Sequence, residues 1–241
     1  MMKKLHYTIP LICLLNGVFY SCGSNSNPEK ELSKEEGSVQ KTDSSTVEKK
    51  SVYDELLKKF KPISFDTLMV EYSYGTINKK YRGTELSLKE AKSLNVEYIE
   101  PSYGKLSGVY ACYQFQIDSL RTGLIARIPA DYESTTIGLF ILDRKKDQIA
   151  REYFPVGIIF GDAGDAAQRI SWLFMTKDKQ LQSFVYDYSS YSHEVEDTAD
   201  HTIDEWRSYF LIDCMSPRFD TISKNETQLR KRFKRVLKKV E

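Results

Sequence analysis

The stretch TTIGLFILD, residues 135–143, decides the fold. Successive side chains of a strand point to opposite sides, so Ile137, Leu139 and Ile141 share one face while Phe140 and Leu142 share the other. A strand apolar on both faces is buried on both faces. Residues 135–143 therefore belong in the middle of a sheet, covered above and below, and the strand-like runs around them need partners there.

Working outward, Val109, Ala111, Tyr113, Phe115 and Ile117 alternate with polar residues, and residues 122–128 follow as another strand. Downstream come residues 148–154, 170–176, 180–188, 206–213 and 217–223. The connections DRKKD (143–147) and KDK (177–179) have hairpin length. Strands joined by short turns, with no helix between them, predict an antiparallel meander, curved or barrel-like. No repeat of fixed period is present, which argues against a propeller or solenoid.

The flanks carry the helices. Ser51-x-x-Asp54 heads a short one, with Val52, Leu56 and Phe60 at helical spacing and a stop at Pro62. Residues 63–73, ISFDTLMVEYS, read as a first strand. Ser87-x-x-Glu90 has capping-box spacing ahead of Ala91 and Leu94. At the far end Leu229, Phe233, Val236, Leu237 and Val240 form one stripe, capped by Ser223 or Asn225, and Arg230, Lys231, Arg232, Lys234, Arg235, Lys238 and Lys239 crowd the rest. The stripe predicts a helix packed across the sheet with a solvated basic back; the alternative is contact with anionic lipid headgroups or an acidic partner. The expected class is mainly β (α+β).

Composition narrows the setting. In 241 residues, Lys+Arg (35) nearly balances Asp+Glu (34), so charge gives no argument for nucleic acid as a partner. Sixteen Tyr and twelve Phe suit β structure. Met1-Met2-Lys3-Lys4 is a basic start, and the apolar run IPLICLLNGVFY, residues 9–20, is shorter than the roughly 20 residues that span a bilayer. It ends at Ser21-Cys22-Gly23. These residues resemble a bacterial lipoprotein signal of the loose kind familiar in Bacteroidota, with Phe19 where such signals usually carry Leu. The resemblance implies cleavage before Cys22 and lipid attachment to its thiol.

Residues 23–50 hold almost no large apolar side chain. They cannot bury enough surface to offset ordering, so a disordered tether with a reach of about 30 Å is expected. The residues after Cys22 are neutral, whereas an acidic run there resembles a surface-export signal. The expectation is an outer-membrane lipoprotein facing the periplasm, with surface exposure as the alternative. The chain divides into a signal (1–21), a tether (22–50) and one β-rich domain (51–241).

Chemistry is sparse. The chain has no phosphate-cradling glycine loop, Gly-x-Ser-x-Gly, Cys-x-x-Cys or His-Glu-x-x-His. No catalytic residue, cofactor or metal is expected. His193 and His201 lie in an acidic stretch with Glu194, Glu196, Asp197, Asp200, Asp204 and Glu205. Two imidazoles and a carboxylate can hold a metal, but the seven-residue gap has no specificity, and a solvated loop is preferred. In GDAGD (161–165), Asp162 and Asp165 could ligate calcium or line a pocket mouth beside Trp172; a turn is preferred. Tyr188, Tyr191 and His193 join Asp162, Asp165 and Trp172 as candidate ligand or partner contacts. Cys112 and Cys214 are expected as two free buried thiols, a disulfide being the alternative.

The expected function is a lipid-anchored, noncatalytic binding, assembly or inhibitory factor with a protein partner. A carrier with an apolar cavity under Trp172, Phe174 and Tyr186, similar to lipocalins in outline, is the first alternative. A hydrolase using acidic-loop carboxylates is the second.

Overall fold

The computed structural model describes residues 51–72, 79–96, 108–129, 135–149, 152–196, 199, 201–216 and 218–240. All fall within one compact unit, Glu48–Glu241. Cys22 and the segments expected as signal (1–21) and tether (22–50) lie outside the described residues.

The chain enters through α1 (Asp54–Leu57), β1 (Lys61–Pro62), β2 (Thr67–Val70), a 3-10 turn, β3 (Thr84–Glu85) and α2 (Leu88–Ser93). The meander follows as β4 (Tyr110–Gln116), β5 (Arg121–Ile128), β6 (Thr136–Asp143), β7 (Gln148–Ile149), β8 (Phe154–Asp162), β9 (Asp165–Met175), β10 (Leu181–Ser192) and β11 (Ile203–Asp213). It closes with β12 (Thr221–Ser223), α3 (Glu226–Arg232) and α4 (Lys234–Leu237). The protein is mainly β. The sheet runs β1-β4-β5-β6-β8-β9-β10-β11-β12 and is antiparallel except where β1 joins β4 in parallel. The sheet is open, so the barrel-like expectation holds only as curvature.

That curvature has a visible cause. One apolar cluster gathers Phe115 of β4, Ile125 of β5, Leu139 of β6, Val156 of β8, Leu173 of β9, Val185 of β10 and Ile212 of β11. A single core touching seven strands from one side requires a sheet bent around it. The segment from β1 to β2 lies across this concave side, pairing with β4 at one end and with β9 at the other. Ile63 and Phe65 pack against the cluster between those two pairings, so the expected strand over 63–73 is interrupted there.

The outer face of β4–β6 carries a second cluster, in which Leu124, Phe140 and Leu142 meet Leu56, Phe60, Ala91 and Leu94 from the N-terminal helices. Ile137, Leu139, Phe140 and Leu142 are all fully buried. Residues 135–143 are therefore covered on both faces, as their pattern requires. Helix α2 forms the expected capping box: the Glu90 N–H donates to Ser87 Oγ, 3.4 Å, and the Ser87 N–H donates to Glu90 Oε2, 2.7 Å. Helix α1 departs from expectation at Val52, which is 76% exposed because the helix begins only at Asp54.

The C-terminal stripe packs on the sheet. A third cluster joins Trp172, Phe184, Tyr209 and Leu211 to Leu229 and Leu237, with Phe233 stacked on Phe184 at 4.0 Å between centroids. The helix is broken at Phe233, and its N-cap is Asn225, whose side chain accepts from the Gln228 N–H at 3.0 Å. Cys112 and Cys214 are free and buried. Burial pushes the Cys112 thiol up to about 11 and the Cys214 thiol higher still.

Candidate functional site

Strands β8 to β11 run past the cores that hold the rest of the sheet. Strand β8 leaves β6 after Ile158 and continues beside β9 to a two-residue turn, with Asp162 opposite Asp165. Ala163 and Gly164 both have positive φ, 45° and 91°, the conformation that the twist of a tight hairpin favours. A Cβ on Gly164 would lie 2.6 Å from Val195 Cγ2, so glycine also lets the next connection dock against the turn. The preferred turn reading of GDAGD is what the backbone adopts.

The resulting four-stranded flange has no buried residue on either face beyond the Ile158–Arg169–Asp187–Ser208 row among its described residues. In β11, Ile203 to Ser208 are all exposed, Ile203 at 60% and Trp206 at 55%.

One face of the flange is built in three rows. The first, Ile158–Arg169–Asp187–Ser208, is anchored by a two-pronged ion pair: Arg169 Nε and Nη2 each donate to an Asp187 oxygen at 2.7 Å. Arg169 Nη1 also donates to the Pro155 carbonyl, 3.1 Å, which fixes the guanidinium. The second row is Phe160–Ala167–Ser189–Trp206, with large rings outside and small residues in the middle. The third is Asp162–Asp165–Tyr191–Asp204. Ala167 and Ser189 thus floor an open hollow of about 270 Å3, with Ile158 and Trp206 at its sides and the ion pair at one end.

The tip beside it is acidic and hydrogen-bonded. Tyr191 donates its hydroxyl to Glu196 Oε1 at 2.9 Å, and this carboxylate holds the phenol above its ordinary range. His193 Nε2 lies 3.0 Å from Asp204 Oδ2, and His201 pairs with Glu194. No set of three or more His, Cys, Asp or Glu among the described residues is placed to hold a metal ion.

The opposite face carries Tyr188, Glu205 and Arg207. The Tyr188 hydroxyl donates to Glu205 Oε1 at 2.8 Å and Arg207 Nη2 to Glu205 Oε2 at 2.8 Å, and both depress the Glu205 carboxyl.

The six candidate residues are thus divided. Asp162, Asp165 and Tyr191 share one row of the hollowed face, with His193 beside them. Tyr188 points to the other face, because it is three residues from Tyr191 in a period-two strand. Trp172 is 2% exposed, stacked on Phe184 beneath the C-terminal helices, and contacts core instead of a pocket mouth. The Arg169–Asp187 pair went unread, although the turn KDK signals it: folding the chain about Asp178 sets 169 opposite 187. Phe160 is set opposite Ala167 by the two-residue turn, whereas Trp206 carries no such local signal, since its position depends on the longer connection from β10 to β11.

A larger groove, about 820 Å3, lies between the β1–β2 segment and the β4–β5 turn, but Gln114 and Asp118 in its lining already serve the fold. Gln114 Nε2 donates to the Leu57 and Phe60 carbonyls, and Asp118 accepts from the Leu120 and Arg121 N–H groups. No protein-family model, curated protein or solved structure matches this chain.

Proposed function

We propose that the protein is a lipid-anchored envelope component, held through Cys22, that acts as a noncatalytic binding or assembly factor and uses the β8–β11 flange as its working surface. The observation that carries the reading is the flange itself: a stretch of sheet with no buried residue on either face among its described residues, which presents exposed Trp206 and Ile203 beside half-buried Phe160. An exposed tryptophan and isoleucine near a fixed ion pair contribute little to the fold and fit a contact surface. The filling of the sheet's concave side by Leu139, Ile125, Val185 and their neighbours favours a surface binder over a carrier with an enclosed cavity.

Two measurements test it together. Cys22→Ala should abolish incorporation of labelled fatty acid and block processing at that site. Proteins crosslinked in intact cells to the wild-type chain should be lost with Ser189→Arg, which fills the hollow, while the melting transition stays unchanged. Continued acylation of Cys22→Ala would place the anchor elsewhere. An unchanged crosslinked set with Ser189→Arg would remove the flange from the reading.

A further inference from the structure

Strand β11 has a second edge. On one side it pairs with β10 through all of Ile203–Asp213. On the other, β12 pairs only with Leu211 and Ile212, and no described strand lies beside Ile203–Phe210. Natural edges are usually blunted by charged side chains, above all Lys, by Pro, by a bulge or by shortness. The charges on this edge, Asp204, Glu205 and Arg207, are of both signs and so can meet opposite charge on a second copy. Residues 203–210 contain no Lys or Pro, and the irregularity in this strand lies beyond them, at Leu211/Ile212. We infer that this edge pairs with the same edge of a second copy of the chain, antiparallel about a two-fold axis through Trp206. The inference rests on the strand edge and is independent of the lipid anchor and of any other partner.

The register follows from parity and charge. Two antiparallel strands related by a two-fold axis keep their faces, so facing residues lie on the same face and the axis passes through one residue. Asp204, Glu205 or Arg207 on the axis would set like charge directly against like charge, which is unfavourable. Ile203 on the axis would pair the strand with residues 201 and 202, outside β11. Ser208 on the axis would bring in Tyr209 and Phe210, already covered by Arg230 and Lys224. Trp206 remains.

With Trp206 on the axis the complementarity is complete over five residues. Glu205 faces the second copy's Arg207 and Arg207 its Glu205, so the existing 2.8 Å Glu205–Arg207 pair becomes a square of alternating charge. On the other face the two Trp206 rings lie side by side between two Asp204–Ser208 pairs. One-chain function does not demand that a strand edge complement itself. A self-pairing edge does.

The full chain, produced in a bacterial envelope, tests this. Facing residues have Cα atoms about 4.5–5.5 Å apart, within disulfide reach. With Cys13 and Cys22 replaced by Ala, Trp206→Cys should therefore give a reducible species of twice the reduced chain's mass on non-reducing gels, absent from the same chain with Trp206 retained, whose remaining Cys112 and Cys214 are buried. Sedimentation of the detergent-extracted full chain should show a dimer. Glu205→Arg or Arg207→Glu alone should weaken it roughly ten-fold or more, and the double exchange should restore it, with the circular dichroism of every variant that of the wild-type fold. A monomer throughout, or a dimer indifferent to the two reversals, overturns the inference.

Discussion

The middle of the sheet and its flange are made of the same hairpins and obey different rules. In the middle of β5 and β6, Ile125, Ile137 and Leu139 meet the inner core while Leu124, Ala126, Phe140 and Leu142 meet the cluster that holds the helices, so both faces are apolar and buried there. In the flange both faces are open, and the sequence turns to Ser, Ala, Asp, Glu and Tyr with a few large apolar exceptions. The same strand, β10, makes the change along its length: Ser183 to Tyr186 are buried, and Asp187 to Ser192 are half-buried. The contrast teaches where to look for function. An apolar residue in the middle is explained by packing, whereas Trp206 and Ile203 are not.

The largest test of that contrast matches two apolar-to-Asp changes. Leu139→Asp should prevent folding, since it leaves a carboxylate unpaired in a site with no solvent access. Ile203→Asp should leave the unfolding free energy from denaturant titration within about 0.5 kcal/mol of wild type. Expression of Leu139→Asp with a normal melting transition, or collapse of Ile203→Asp, would erase the distinction.

A smaller effect is expected at the boundary between the two regions, where the C-terminal helices cover the outer face of β9–β11. Phe233→Ala should cost about 3 kcal/mol, the low end for losing a phenyl ring, because the ring is only partly buried against Phe184. If stability held and binding to anionic vesicles fell instead, the basic helix would be a membrane arm.

The smallest effect belongs to the α2 cap, which holds the helical cover on the middle of the sheet. The Lys59 ammonium, 2.7 Å from Glu90, and the Ser87 hydroxyl and N–H depress the Glu90 carboxyl to about 2 from an ordinary 4.5. A lowered carboxyl stabilises the fold above its unfolded pKa, and that contribution is lost as pH falls from about 4.5 towards 2. Glu90→Gln should cost about 1 kcal/mol at pH 7, and the gap to wild type should close by pH 2 in denaturant titrations. A gap that persisted at low pH would mean that the carboxylate charge is not what holds the cap.

Much of this was legible in the chain. Residues 135–143 announced a strand buried on both faces because apolar side chains at both parities have no other stable place. The capping box at Ser87 and the stripe from Leu229 to Val240 were legible because both depend on contacts within a turn or two. The strand drawn over 148–154 was not: β7 stops at Ile149, and Phe154 begins the separate strand β8. Periodicity marks apolar positions, but it does not mark where a strand exchanges one neighbour for another. The flange was misread for a related reason. Residues 155–162, PVGIIFGD, are apolar but broken by Pro155, Gly157 and Gly161, and residues 189–192, SSYS, are polar on both faces, so neither gave an alternating signal, and the acidic stretch that begins at Tyr191 looked like loop until β11 was seen to start at Ile203.

By itself the sequence determined the class of the fold, its central strand, the helix cap and the packing of the C-terminal helix, because each follows from local spacing and the cost of exposing apolar surface. It brought Asp162, Asp165, Tyr191 and His193 forward as candidates, but not the surface that they share. Only the tertiary structure decided that Trp172 is core, that Arg169 clasps Asp187, that Phe160 and Trp206 stand across one row, and that β11 keeps an unshared edge. Those relations depend on strand order and register. Register is fixed by which faces must be buried together, a condition that no single stretch of the chain contains.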